Sequence, residues 1–278
     1  MQKMQGTVHP CKALTVLLQG LSLACAFSPS TLGPRSPLLS PTTRSARFWP
    51  ASTHGVPHRQ LMHLLLSGSS SAPAQIPARI LAFGDSLTAG SVTRDLFVPY
   101  GETLRSTLGA ATDVVSRGVV LESVHKMPQR LEKTLATEEQ PFDAMIFLGG
   151  TNDLWRGDAD AIWRSLQALY SQARARNAML GVITLPPFDP APMKWLEPLT
   201  GCLTLAEKTR CDVNARIRSE AEGHASDTFL VDLAAICDES AGTPLARPDG
   251  IHFEATGYQR LGDLAASAIL DICARGKV

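Results

Sequence analysis

The sequence predicts an α/β/α sandwich whose central layer is a parallel sheet of five strands. From Arg79 onward, short apolar runs alternate with longer amphipathic runs, which is typical of repeated strand-helix units. The strand candidates are brief, aliphatic or β-branched, and flanked by turn residues: Arg79–Phe83, Val114–Ser116, Ala144–Leu148, Leu180–Thr184 and Phe229–Asp232. Parallel strands need crossover connections, so we expect helices on the faces of the sheet.

Two segments show clear helical periodicity. In Asp158–Arg176, apolar residues recur at three- and four-residue steps while Arg164 and Gln167 face away. The same spacing runs through Tyr258–Ile272 near the end of the chain. Between the fourth strand and the next helix, Pro186–Cys202 is too rich in proline for regular structure. Loops of that length often contribute to a binding site, so we expect this one to do so.

The beginning of the chain is predicted to be a targeting leader. No Asp or Glu occurs before Asp85, and an apolar run ends in the small residues Ala24-Cys25-Ala26 after two lysines. This pattern predicts a secretory signal peptide over residues 1–26. Residues 27–78 are rich in Ser, Thr, Pro and Arg, which predicts a transit-like or disordered leader. Residues 79–278 are then expected to form a single folded domain.

Two destinations remain open for this leader. Phe27, directly after the expected cleavage point, resembles the two-part leaders that direct proteins to secondary plastids, and secretion with a disordered pro-segment is the alternative. The cysteines do not decide between them. Cys202 and Cys211 flank what is expected to be a short loop and could pair in an oxidising lumen, whereas Cys237 and Cys273 lie among apolar residues like buried thiols.

Charge and spacing exclude several classes of function. From Asp85 onward the chain carries 26 acidic residues against 19 basic ones, so nucleic-acid binding, which requires a basic surface, is not expected. The early apolar run is shorter than the roughly 20 residues that span a bilayer, and we expect no transmembrane segment in the mature chain. We expect no metal, because the sequence has no CxxC motif or His/Cys cluster with zinc spacing.

Polar motifs follow three of the predicted strands. Gly84–Leu87 (GDSL) ends the first strand, Gly118 follows the second, and Gly149–Asp153 (GGTND) ends the third. Ligands of parallel α/β sheets bind outside the carboxyl ends of the strands, so these motifs should meet at one edge. A fourth motif, Asp249–His252 (DGIH), lies just before the last helix and can fold back over the same edge.

These residue types suit nucleophilic catalysis. A serine hydroxyl is a poor nucleophile at neutral pH and needs a base within hydrogen-bond reach, itself oriented by a third group. His252 can accept the proton of Ser86, and Asp249 can hold the other ring nitrogen of His252.

Three aromatic residues have two readings that the sequence leaves open, since they either line an acyl pocket or pack in the core: Trp155, Phe188 and Trp195.

The four motifs, in this order and spacing, resemble the blocks of the SGNH hydrolase superfamily of GDSL esterases and lipases over nearly all of Arg79–Arg275. The resemblance implies a flavodoxin-like sandwich and hydrolysis of a small-molecule carboxylic ester through an acyl-enzyme, without a cofactor. It also implies an oxyanion hole made by the backbone N–H groups of Ser86 and Gly118 and the side-chain amide of Asn152. Family members commonly follow the second-block glycine with a further small residue and an Asp, whereas this chain has Val119–Ser123 there.

Several alternatives remain beside this hypothesis. The same site serves acyltransferases and carbohydrate O-acetylesterases, and the scaffold also occurs as a catalytically silent binding module. Ser86 could cap a helix, Asn152 and Asp153 could shape a turn, and His252 could be an incidental loop histidine. Asp85 is expected to be structural, holding its turn through backbone hydrogen bonds. The sequence predicts no oligomeric state.

Overall fold

The computed structural model describes residues 75–191, 201–239 and 249–275. Its five strands form one fully parallel sheet in the order β2-β1-β3-β4-β5, which confirms the predicted sheet. The strands are β1 Arg79–Gly84, β2 Asp113–Gly118, β3 Ala144–Leu148, β4 Met179–Ile183 and β5 Thr228–Val231. All five are where the sequence predicts them, with ends that differ by at most two residues.

Helices cover both faces of the sheet, as expected for a three-layer sandwich. They are α1 Ser86–Ala89, α2 Tyr100–Leu108, α3 Met127–Thr137, α4 Ala159–Arg174, α5 Cys202–Gly223, α6 Leu233–Glu239 and α7 Ala255–Arg275, with 3₁₀ turns at Val124–Lys126 and Thr151–Arg156. Helix α2 packs on α7 in one layer, and α4 packs on both α3 and α5 in the other. The two helices predicted from periodicity are α4 and α7.

The central strand β3 and the edge strand β2 differ in burial. All five residues of the central strand β3 are buried, because a strand covered by helices on both faces must be apolar throughout. The edge strand β2 is only partly buried and exposes Asp113 and Arg117. Helix α4 begins after Asp158, whose side chain accepts a hydrogen bond from the Ala161 N–H and so caps the helix.

The sheet order creates a crevice at the carboxyl ends of β1 and β3. The chain moves outward from β1 to β2 and then crosses back over β1 to β3, so the connections leave the strand ends in opposite directions. A place where neighbouring connections diverge in this way is called a topological switch point, and ligands of open α/β sheets bind there. The motifs that begin at Gly84 and Gly149 flank this crevice.

The predicted leader lies almost entirely outside the described residues. Within them, packing begins before the predicted boundary at Arg79: the Ala78 N–H donates to Asp143, and the Pro77 carbonyl accepts a hydrogen bond from Thr112. No helix in the described ranges is both long and apolar enough to cross a membrane.

Cys202 and Cys211 do not flank a loop, as the sequence had suggested, because both lie on α5. Nine residues of helix separate them by roughly 13 Å, well beyond the span of about 7 Å that a disulfide tolerates. They therefore cannot pair with each other. Cys237 and Cys273 are only partly buried, not the fully buried thiols that the sequence suggested.

Candidate active site

The turn between β1 and α1 presents Ser86 at the first position of a helix. Asp85 is the N-cap, and its Oδ1 accepts a hydrogen bond of 3.0 Å from the Leu87 N–H. Because Asp85 fills the capping position, Ser86 is not the cap, and the alternative reading of Ser86 as a helix cap is wrong. The N–H of a first helical residue has no acceptor within its own helix, so that of Ser86 can serve a ligand.

Asp85 is a fully buried carboxyl group directly beneath this turn. Its Oδ2 has no hydrogen-bond partner within the described ranges. Burial raises the pKa of Asp85 to about 7; the hydrogen bond from Leu87 and the nearby His252 oppose the rise, and the carboxylates of Asp153 and Glu122 add to it. Asp85 holds the turn through a backbone hydrogen bond, which agrees with its predicted structural role.

Gly118 lets β2 approach the helix that carries Ser86. A Cβ atom at this position would lie 2.1 Å from the Ala89 nitrogen and 2.5 Å from its Cα, so no larger residue fits without moving α1. The loop that follows also has a special conformation, since Leu121 has φ 61°, in the left-handed region that favours glycine.

Two residues of the third motif hold this loop from the other side of β1. Asp153 is buried and accepts hydrogen bonds from the Ser123 hydroxyl at 2.6 Å and from the Val124 N–H at 2.7 Å. The Asn152 amide nitrogen donates to the Glu122 carbonyl at 3.0 Å. An amide carries two N–H groups, so Asn152 keeps a second donor after binding Glu122.

The imidazole of His252 lies between Ser86 and Asp249. Its Nε2 is 2.9 Å from the Ser86 Oγ, and its Nδ1 is 2.9 Å from the Asp249 Oδ2. A carboxylate can only accept, so in the neutral ring Nδ1 carries the proton and Nε2 is left to accept the Ser86 hydroxyl. The structure thus joins the three residues that the sequence assigned to catalysis in one hydrogen-bonded line.

Asp249 is held ionised by its surroundings. Burial favours a higher pKa, but hydrogen bonds from the His252 ring and from the backbone N–H groups of His252 and Ile251 outweigh it and hold the pKa of Asp249 well below its usual range.

Two supports fix the turn that carries His252. Gly250 has φ 76°, and its carbonyl accepts a hydrogen bond of 2.7 Å from the Asp189 N–H. The Tyr258 hydroxyl on α7 donates to the Ser91 carbonyl at 3.1 Å and accepts from the Phe253 N–H at 3.5 Å. This tyrosine therefore links the segment after Ser86 to the segment after His252.

Two of the three aromatic residues expected near the substrate lie within the described residues. Trp155 is 4% exposed and belongs to the core, where its ring centroid lies 5.0 Å from that of the partly buried Phe188. Trp195 lies outside the described residues. The substrate-binding role of all three stays a prediction.

Sequence reasoning assigned no role to Glu122, Arg130 or Asp189. Glu122 could have been singled out from the sequence, because it is the one acidic residue in the otherwise apolar run Val119–Glu122 after Gly118. Among the described residues, no group of three or more His, Cys, Asp or Glu side chains is arranged to hold a metal ion.

This fold is shared with solved esterases, and the chain is a hydrolase of the SGNH type. More specifically, it belongs to the GDSL-like Lipase/Acylhydrolase family, whose profile matches residues 82–260, well over half of its length. The resemblance recognised in the four motifs is thereby confirmed. No curated protein matches the chain.

Solved structures of related enzymes share the fold. A carbohydrate acetylesterase family member from Sinorhizobium meliloti is 18% identical, with a TM-score of 0.57 over 70% of this chain and 99% of that one. The native aryl esterase of M. smegmatis is 23% identical, with a TM-score of 0.53 over 72% and 99%. A lipase/acylhydrolase from Enterococcus faecalis is 20% identical, with a TM-score of 0.54 over 71% and 96%. At these identities the likeness shows the fold alone.

Proposed function

We propose that the chain hydrolyses carboxylic esters through an acyl-enzyme formed on Ser86. The observation that carries this proposal is the His252 ring, with one nitrogen 2.9 Å from the Ser86 hydroxyl and the other 2.9 Å from the Asp249 carboxylate. A base already in contact with the nucleophile and already oriented by a carboxylate is the arrangement that serine hydrolysis requires.

In the first step, the Ser86 Oγ attacks the ester carbonyl carbon and its proton passes to the His252 Nε2. The carbon–oxygen π pair moves onto the carbonyl oxygen, which becomes an oxyanion. Asp249 stabilises the imidazolium that forms, because its lowered pKa keeps it ionised beside the Nδ1 proton.

Three donors are available for the oxyanion: the N–H of Ser86, the N–H of Gly118 and the second amide hydrogen of Asn152. Preorganised donors of this kind act most strongly in a site shielded from water. Both Ser86 and His252 are more than nine-tenths buried, which supports this shielding.

The intermediate then collapses with loss of the alcohol, whose oxygen takes the proton from His252. Water attacks the acyl-enzyme carbonyl, again giving up a proton to the His252 Nε2. The second tetrahedral intermediate releases the carboxylic acid as the proton returns to the Ser86 oxygen. Each step uses the same base and the same three donors, so the free enzyme is restored.

The direct test uses the full chain with p-nitrophenyl acetate and a fluorophosphonate probe. Ser86→Ala should abolish both hydrolysis and labelling, whereas Ser171→Ala, which removes an exposed hydroxyl on α4, should leave both unchanged. A Ser86→Ala variant with the wild-type rate would remove this mechanism, and wild-type protein that neither labels nor hydrolyses would favour a binding module.

The substrate class can be narrowed by a panel of esters. Two solved neighbours are described as a carbohydrate acetylesterase and an aryl esterase, so acetylated sugars and aryl acetates are the first compounds to compare. Adding a competing alcohol to each reaction distinguishes hydrolysis from acyl transfer, since a transferase would give a new ester in place of the free acid.

We also propose that residues 1–78 direct the chain into the secretory pathway through a signal peptide, with a plastid or the extracellular space as its destination. The support is the sequence pattern of an acid-free leader. A fluorescent fusion of Met1–Ala78 should enter one of these two compartments, and cytosolic fluorescence would contradict the proposal.

A further inference from the structure

Arg130 on α3 lies at the centre of a hydrogen-bond network at the carboxyl edge of the sheet. Its guanidinium binds both carboxylate oxygens of Glu122, with the shortest contact at 2.6 Å. It also donates to the Arg117 carbonyl at 3.0 Å and to the Gly84 carbonyl at 2.8 Å. The guanidinium carbon lies 3.8 Å from the centroid of the Phe83 ring, which adds a cation–π contact.

The two carbonyls belong to peptide groups that matter for the proposed oxyanion hole. The Arg117 carbonyl and the Gly118 N–H are the two ends of one planar peptide, so fixing the carbonyl fixes the direction of the N–H. A hydrogen bond to the carbonyl also polarises the peptide and strengthens its N–H as a donor. The Gly84 carbonyl ends β1 immediately before Asp85, which caps the helix that begins at Ser86.

The third proposed donor is connected through Glu122. Arg130 binds the side chain of Glu122, and the backbone carbonyl of Glu122 accepts the hydrogen bond from Asn152. One guanidinium is therefore linked, directly or through one residue, to the segments that carry Ser86, Gly118 and Asn152.

Burial makes this network rigid and hard to replace. The Glu122 side chain is 7% exposed and that of Arg130 is 22% exposed, so neither is a solvated surface charge. Planar, forked contacts to several acceptors at once are a property of arginine, and the single ammonium group of lysine cannot reproduce them.

We propose that Arg130, bound to Glu122, is a positioning residue that holds the three oxyanion donors in register. This proposal rests on the proposed esterase function. It assigns Arg130 no contact with the substrate: the side chain acts through the Arg117–Gly118 peptide, the end of β1 and the Glu122 carbonyl.

A second Arg–Glu pair offers a matched control. Arg174 and Glu220 are also 2.6 Å apart, with side chains 27% and 14% exposed, and Arg174 donates to Thr228 at the start of β5. This pair lies at the amino edge of the sheet, away from Ser86 and His252. It resembles Arg130 and Glu122 in residue types and burial, makes fewer hydrogen bonds, and lies elsewhere in the fold.

The test compares Arg130→Lys with Arg174→Lys in the full chain. Both keep the positive charge and lose hydrogen bonds, so both should lower the unfolding temperature, Arg130→Lys by more because Arg130 makes more of them. Arg130→Lys should also lower kcat for p-nitrophenyl acetate by about 10- to 100-fold with KM within about twofold, because small displacements of oxyanion donors act on the transition state. Arg174→Lys should keep kcat.

A boronic acid that forms a tetrahedral adduct with Ser86 gives an independent readout. Its inhibition constant should rise for Arg130→Lys by about the same factor as kcat/KM falls, because both report binding of the oxyanion. A purely structural role of Arg130 would leave this constant unchanged. Equal kcat losses in the two lysine variants, or an unchanged boronate constant, would overturn the proposal.

Chemical rescue of Arg130→Ala by millimolar guanidinium chloride is a second, independent test. Free guanidinium should restore part of kcat in Arg130→Ala and leave the unimpaired kcat of Arg174→Ala unchanged, and absence of rescue in folded Arg130→Ala would also overturn the proposal. Wild-type activity and its loss in Ser86→Ala are measured in parallel. An inactive wild-type protein would contradict the proposed esterase function itself. An active wild-type protein whose kcat does not change on substitution of Arg130 would contradict this inference alone.

Discussion

The two halves of the carboxyl edge of the sheet use the same polar residue types for different purposes. At the ends of β4 and β5 polar side chains bind backbone groups or one another: Asn214 uses its oxygen and its amide on Leu185, and Asp232 binds Arg218 and Thr184. At the ends of β1 and β3, by contrast, the side chain of Asn152 makes one hydrogen bond within the described ranges, to the Glu122 carbonyl, and the Asp85 Oδ2 has no partner there.

This difference supports the proposed active site at the ends of β1 and β3. Polar groups whose hydrogen bonds are all made stabilise a fold, whereas polar groups held in place with hydrogen-bonding capacity left unused can stabilise charge that develops later. Asn214 therefore serves as the control for Asn152, and Asp232 as the control for both Asp249 and Asp85. Gly181, in the middle of β4, is the control for Gly118.

The largest effect should come from Asp249→Asn. The asparagine oxygen can still accept the N–H groups of Ile251 and His252, but its amide would donate to the His252 Nδ1 and force the proton onto Nε2. In that tautomer His252 cannot accept the proton of Ser86, so kcat should fall by about 10³- to 10⁴-fold. Steady-state kinetics measure this, with Asp232→Asn as the control that keeps its rate. A loss below about tenfold would show that the orientation of His252 does not depend on Asp249.

Asn152→Ala should lower kcat by about 10²- to 10³-fold, the usual cost of losing one oxyanion donor. Asn214→Ala should instead leave kcat within about twofold and lower the free energy of unfolding by about 1–3 kcal/mol, because the N–H and carbonyl of Leu185 lose their partners. Steady-state kinetics and urea unfolding of both variants measure the effects on kcat and on stability. The contrast between the two halves would be lost if Asn214→Ala impaired kcat as much as Asn152→Ala.

Asp85→Asn should change how stability depends on pH. Because burial raises the folded pKa of Asp85 to about 7 from 3.8, its contribution to stability is complete below about pH 4 and is lost as the pH rises toward 7. Asparagine never ionises, so the stability of the variant relative to the wild type should increase across this range, by on the order of a few kcal/mol at pH 7. Thermal unfolding from pH 4 to 8 tests this.

The stability contribution of Asp232 should depend on pH in the opposite direction. Burial acts to raise its pKa, but hydrogen bonds from Arg218, the Ala235 N–H and Thr184 outweigh it and lower the pKa of Asp232. Its stabilising contribution is therefore present above its unfolded pKa and lost as the pH falls, so Asp232→Asn should destabilise most at neutral pH. Parallel pH trends in Asp85→Asn and Asp232→Asn would contradict these assignments.

Gly118→Ala should cost about 1–3 kcal/mol of stability through overpacking. The added Cβ meets the backbone of Ala89 at 2.1 Å, so the variant should also displace α1 and lower kcat. In Gly181→Ala the added Cβ meets the Phe229 ring at 2.5 Å, and a side chain can move. The control should therefore lose stability and keep its rate, and calorimetry with kinetics on both variants distinguishes the outcomes.

Prediction from sequence succeeded where the signal is local. The apolar runs located all five strands, because buried parallel strands are apolar along their whole length. The motifs identified Ser86 and His252, which the structure joins at 2.9 Å. The sequence left open whether Cys202 and Cys211 pair, and only the structure excludes it, because both lie on one helix nine residues apart.

The sequence by itself determined the sheet, the strand-end motifs and the order in which they follow one another, because period and residue type are properties of short segments. Only the tertiary structure decided what holds those motifs together: Arg130 reaching the ends of β1 and β2, Asp153 holding Ser123, and Tyr258 linking Ser91 to Phe253. These contacts join residues far apart in the chain through backbone carbonyls and N–H groups. Every residue has such groups, so the residue types in the sequence do not indicate which backbone groups will be bound.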